Sequence, residues 1–81
     1  MYHNDYIEKT IGYHAGQRIL DATDFTQDEL ERTLRILVDT GVPPQLLVSK
    51  VYATAELSTA YNTAPDLCAK AIGYDCVAQH N

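Results

Sequence analysis

Positive charge is scarce in this chain. Six Lys and Arg stand against 11 Asp and Glu, a formal net charge of −5 over 81 residues. Phosphate backbones are held by clustered Lys and Arg, so this balance argues against direct nucleic-acid binding. It argues equally against adhesion to anionic lipid. Tryptophan is absent, and phenylalanine occurs once, at Phe25. Two cysteines, Cys68 and Cys76, are too few for a secreted disulfide scaffold. No apolar run approaches the roughly 18 residues of a membrane span. The start, MYHNDYIEK, lacks the basic-then-apolar pattern of a secretion signal. A cytoplasmic protein with reduced thiols is the expectation. There is no P-loop, no Gly-x-Gly-x-x-Gly, no charge block and no long repeat.

What remains is a small domain. A chain of this length buries only about 60% of its unfolded surface. Its hydrophobic fraction, 46%, is ordinary for a globular protein. A marginal core of this kind gains from self-association, and a homo-oligomer is expected.

The pattern of apolar residues predicts helices throughout. Ile7, Ile11, Ala15 and Ile19 recur every fourth residue over 5–21. Gly12 and Gly16 interrupt that stretch, and each costs a helix about 1 kcal/mol relative to alanine. They either break the helix or open a small-residue face to a neighbour. Residues 26–40 carry the clearest signal. Thr26 and Glu29 are spaced as a capping box, with Phe25 and Leu30 as its hydrophobic staple. Leu30, Leu34, Leu37 and Val38 then share one face. Asp28–Arg32 and Glu31–Arg35 are spaced for ion pairs on the other side. Gly41 is placed to end the helix.

Pro43 and Pro44 precede a third helix over 45–61, apolar on most sides. A helix of that kind is usually buried by more than one neighbour. Asn62 or Thr63 would cap a short fourth helix, with Pro65 and Asp66 in its first turn and Gly73 as its end. The expected fold is all-α: three main helices plus a short C-terminal helix. Residues 1–75 form the domain and 76–81 a tail.

Candidate chemistry is thin. His3, His14 and His80 share no i,i+3 or i,i+4 spacing, and with the cysteines they make no close ligand pair. Neither a metal nor another cofactor is expected. Cys68 reads as a small buried residue. Asp21, Asp24, Asp28, Glu29 and Glu31 cluster where acids favour a helix N-terminus.

One run has the look of catalysis. Asp39-Thr40-Gly41 follows three apolar residues and resembles the catalytic motif of retroviral-type aspartic proteases. Ala71 to Asp75 resembles the Ile-Leu-Gly-x-Asp run that follows it in that family. The resemblance implies a strand entering a turn at Asp39 and a glycine-rich flap. Residues 42–70 contain no glycine, and residues 35–39 close a capped helix. A motif counts in its structural context, so no enzyme is expected.

Binding is the better-supported class. Ile36 lies nearly opposite the Leu30/Leu34/Leu37 stripe, beside Arg32, and suggests a second contact surface. Six tyrosines offer apolar area with a polar tip, a chemistry enriched at interfaces. Tyr52 and Tyr61 on the third helix either join such a surface or simply roof the core. The expected function is an acidic helical interaction module of inhibitor or adaptor type that docks on a basic protein partner. Small phage-encoded inhibitors have this size and composition. An alternative is a ligand-binding oligomer whose pocket is lined by Tyr6, Tyr13 and Arg18. A second alternative is a helix-turn-helix regulator over LRILVDTGVPPQLLVSKVY, whose would-be reading helix offers only Lys50 as a basic group.

Overall fold

A computed structural model describes residues 2–79 of the chain. It is all-α: α1 (Asp5–Ile11), α2 (Tyr13–Ala22), α3 (Gln27–Thr40), α4 (Leu47–Tyr61) and α5 (Pro65–Gln79), with a 3-10 turn, Pro44–Leu46, leading into α4. No helix among the described residues is long and apolar enough to cross a membrane.

The stretch over 5–21 is two helices. Asn4 caps the first, its side-chain oxygen accepting from the Ile7 amide at 3.0 Å. Gly12 divides them at φ 90°, a backbone angle that side chains with a Cβ avoid. Gly16 plays the other expected role. It is buried, and a Cβ there would meet the Tyr2 hydroxyl and Ile7. Each glycine therefore takes one of the two expected roles.

The capping box of α3 is present in full. Thr26 Oγ1 accepts from the Glu29 amide at 3.1 Å, and the Thr26 amide donates to Glu29 at 2.9 Å. Gly41 ends the helix in the left-handed conformation at φ 98°. Asp39-Thr40-Gly41 is thus a helix end and not a strand entering a turn. Leu30, Leu34 and Leu37 are fully buried. Val38, expected on the same face, is exposed, and Ile36, expected on the outside, is half-buried.

The cause is α5, which packs most extensively on α3 and then on α4. Arg32 meets Asp66 at 3.4 Å, and Thr40 meets Gly73. Both partners advance in the same direction, so α3 and α5 run parallel. Ile36 lies midway along the row 32–36–40 that α5 covers. The buried arc of α3 is rotated toward Thr33 and Ile36 and away from Val38. Arg32 accordingly pairs across to α5 instead of with Asp28, while Glu31–Arg35 forms as expected at 3.0 Å.

The last helix is not short. It passes through Gly73 and runs 15 residues to Gln79. Gly73 and Cys76 are buried on its inner face, so residues 76–79 are helix and not a loose tail, and Cys76 belongs to the core. His80 and Asn81 lie outside the described residues. Asn62 ends α4 in the left-handed conformation at φ 51° instead of opening α5. Ser58 ties the turn, accepting the Thr63 amide on its carbonyl at 3.1 Å and donating its hydroxyl to the Thr63 carbonyl at 2.6 Å.

Candidate docking surface

The inward face of α5 is Cys68, Ala69, Ile72, Gly73 and Cys76. Its outward face is Leu67, Ala71, Tyr74 and Ala78, spaced i, i+4, i+7 and i+11. At 100° per residue these two stripes lie on opposite sides of the helix. Leu67 is 61% exposed and Tyr74 69% exposed. Lys70 and Asp75, both exposed, flank the outward stripe. A helix apolar on two opposite sides normally has neighbours on both. Among the described residues, α5 has them on one.

The end of α4 extends the same face. Tyr61 is 71% exposed. Together with Leu57, Leu67, Ala71, Thr63 and Cys68 it lines a shallow hollow of ≈ 320 Å³ that contains no charged side chain. Apolar side chains gathered in this way, without a cover, mark interaction sites on soluble proteins.

A second, larger hollow lies on the other side of α4. An open groove of ≈ 770 Å³ lies between the α2–α3 loop, the end of α4 and the α4–α5 turn. Tyr52 and Ala55 line it, with the acidic residues Asp24, Glu29 and Glu56 and the polar residues Ser58, Thr59 and Thr63. No Lys, Arg or His contributes to its lining. Glu29 also caps α3, so Asp24 and Glu56 are the more available carboxylates. Thr63, just past the end of α4, lines both hollows, but Tyr52, Ala55, Glu56 and Thr59 leave that helix on the side opposite Leu57 and Tyr61.

The other expected contact residues are distributed differently. Tyr52 lines the acidic groove and Tyr61 the apolar hollow, so the fold places these two on different faces of α4. Arg32 is exposed and tied to Asp66, next to Pro65 of the groove wall. Ile36 is half-buried, one turn from each of Arg32 and Thr40, the two α3 residues that meet α5. Tyr6, Tyr13 and Arg18 line neither hollow. Tyr13 stacks on Tyr2 with ring centroids 4.8 Å apart and planes 3° apart. The Tyr2 hydroxyl donates to the Tyr13 carbonyl at 2.7 Å. Burial, with Glu8 and Tyr13 nearby, pushes the Tyr2 phenol above its ordinary range. Tyr6 lies under the Arg35 guanidinium, 4.0 Å from the ring centre.

Arg35 in turn donates to Glu31 at 3.0 Å, and Asn4 donates to the same carboxylate at 2.9 Å. Hydrogen bonds from Asn4 and Arg35, with the arginine's charge, hold the Glu31 carboxyl below its ordinary range. These contacts fasten the N-terminal arm to α3, and that is the chemistry Tyr2, Tyr6 and Tyr13 perform. His3, Asp5 and Glu8 each bring a possible ligand atom within 4.8 Å of the others at the start of α1. All three lie at the surface, and His3 pairs with the two carboxylates at 3.4 and 3.6 Å. Asp5 and Glu8 stand three residues apart in the first turn of α1, while His3 precedes the helix cap at Asn4.

Tyr74 went unread in the sequence, and Leu67 and Ala71 read there as one apolar face with Cys68 and Ile72, whereas the first two are exposed. The signal was there in the spacing 67–71–74–78, but it is legible only once α5 is known to continue beyond Gly73. No family model, curated protein or solved structure matches this chain.

Proposed function

We propose that this chain is a non-enzymatic docking module of the inhibitor or adaptor kind, which seats a protein partner on the outward face of α4 and α5. The observation that carries this reading is the second apolar stripe of α5, which nothing among the described residues covers. Leu67, Tyr74 and the neighbouring Tyr61 contribute little to folding at their exposure, yet they cost solubility. Interfaces concentrate such residues, tyrosine above all, at the centre of a contact. The net charge of −5 makes a basic partner the favoured one.

The double variant Tyr61→Ser/Tyr74→Ser tests the reading. It keeps the melting temperature of the parent, because exposed substitutions stay within about 0.5 kcal/mol. It loses the complex that the parent forms in the cells that make it, measured as co-purified mass under native conditions. A variant that unfolds, or one that retains the same complex, rejects the α4–α5 face. A homo-oligomer seated on this face is the second reading, and it is favoured by the marginal core of so small a chain.

A further inference from the structure

The outward stripe of α5 has the spacing of a coiled-coil seam. Leu67, Ala71, Tyr74 and Ala78 follow one another at four, three and four residues, which keeps a stripe facing one neighbouring helix. All four are exposed, and large and small side chains alternate. Ala71 and Ala78 therefore leave holes beside the knobs of Leu67 and Tyr74. Leu57 and Tyr61 of α4 wall the hole at Ala71 on one side. Lys70 and Asp75, both exposed, stand on opposite flanks of the seam, the positions at which paired helices select one another by charge. Lys70 has no ion pair among the described residues. Asp75 accepts only the Gln79 side chain, at 3.2 Å. We infer that this stripe receives a single amphipathic helix of the partner protein. That helix places large apolar side chains opposite Ala71 and Ala78, acidic ones along the flank that meets Lys70 and basic ones along the flank that meets Asp75. This rests on the docking reading above and specifies what docks.

Two arguments select a helix of another protein. The first is area. The exposed parts of Tyr61, Leu67 and Tyr74 amount to on the order of 400 Å², taking whole aromatic side chains at about 150–250 Å². A stable interface between folded proteins buries about 800 Å² on each partner, so this face is sized for a single helix. The second is that the stripe does not match itself. Laid parallel on a second copy, it would set Lys70 against the copy's aspartate. Each alanine would then face an alanine and Tyr74 a tyrosine, leaving voids at both alanine levels. Laid antiparallel, the alanines would face tyrosine and leucine. The two lysines would then share one flank and the two aspartates the other, and like charges across an interface oppose association. A helix of different sequence satisfies size and charge together. The net charge of −5 draws a basic protein from a distance, and the two flanks decide which of its helices fits.

Fluorescence anisotropy with three synthetic 14-residue helices, each held helical by a lactam bridge on its outer face, tests the inference on the intact chain. The first carries leucines at the four-three-four spacing, with Glu on one flank and Lys on the other. The second keeps the leucines and carries Lys on both flanks. The third has the composition of the first with its leucines dispersed round the helix. The first is expected to bind about tenfold more tightly than the third. Lys70→Glu weakens the first about fivefold and tightens the second about fivefold, whichever way the helix runs. Ala71→Arg fills the hole between Leu67 and Tyr74 and weakens both leucine-seam helices about tenfold. Equal binding by the third helix overturns the inference, because no seam is then read. Indifference of the first helix to Lys70→Glu overturns it too, because the flanks then select nothing. Self-association of the intact chain that Ala71→Arg abolishes would make a second copy the occupant and overturn it as well. Absence of binding by all three helices overturns the inference. The docking reading falls with it only if Tyr61→Ser/Tyr74→Ser also retains the complex formed in cells.

Discussion

Thr40 of α3 lies against Gly73 of α5 so closely that a methyl group on Gly73 would fall onto the threonine hydroxyl and within 3.0 Å of its Cβ. This contact sets the approach of the two parallel helices. It also explains how a glycine survives in the middle of a helix. The loss in helix propensity, about 1 kcal/mol against alanine, is offset by the packing that a bare Cα permits.

Gly73→Ala is therefore expected to destabilise the protein by about 1–3 kcal/mol despite its higher helix propensity, because the added methyl overpacks a tight contact. Urea denaturation reads the change. Thr40→Ala on the same background should recover part of it, since the hydroxyl and Cγ2 leave. A double-mutant cycle with no coupling between the two positions would refute the contact.

Leu34→Ala removes a fully buried side chain at the centre of the α3 face. A loss of about 2–5 kcal/mol is expected from transfer and cavity terms together. Thermal denaturation checks it, and a near-neutral shift would contradict the core assignment. Ile36→Asp should also destabilise, because Ile36 sits in the row that α5 covers.

Thr33→Val should raise stability by about 1 kcal/mol. Thr33 is fully buried, and its hydroxyl has no hydrogen-bond partner among the described residues. Valine has the same shape without the stranded polar atom. A measured loss would mean that the hydroxyl is satisfied in solution.

The N-terminal clasp predicts an acid-sensitive term. Glu31 has its folded-state pKa lowered from 4.5 by Asn4 and Arg35. Its contribution is present above the unfolded value and fades as pH falls through the lower folded value. Glu31→Gln should therefore lower stability near neutrality and reduce the fall in stability below about pH 4.5. Parallel stability curves for parent and variant across that range would contradict the linkage.

Much of the fold was legible from local chemistry. The capping box at Thr26, the leucines at 30, 34 and 37 and the left-handed Gly41 are decided within one helix and its ends. Gly73 was misread because it meets the ordinary criterion for a helix stop. The reason it does not stop, a close neighbour at Thr40, is 33 positions away in sequence. Val38 and Ile36 exchanged places for a related reason: the direction from which α5 arrives is a tertiary fact. The candidate surface was half legible. Tyr52 and Tyr61 stood out on an all-round apolar helix. Leu67 was merged with Cys68 and Ile72 into one face, and Tyr74 was hidden, because opposite apolar stripes on α5 cancel in any test for a single face. The acidic groove draws Asp24 and Glu56 from different elements, so no local pattern announces it.

The central claim, that the outward face of α5 seats a partner protein, is tested most directly by site-specific photo-crosslinking. Benzoylphenylalanine in place of Tyr74, and separately in place of Lys9 on the exposed side of α1, would be irradiated in the cells that make the protein. The account predicts a discrete heterologous adduct from position 74 and none from position 9. The same adduct from both positions, or no adduct from position 74, would contradict it.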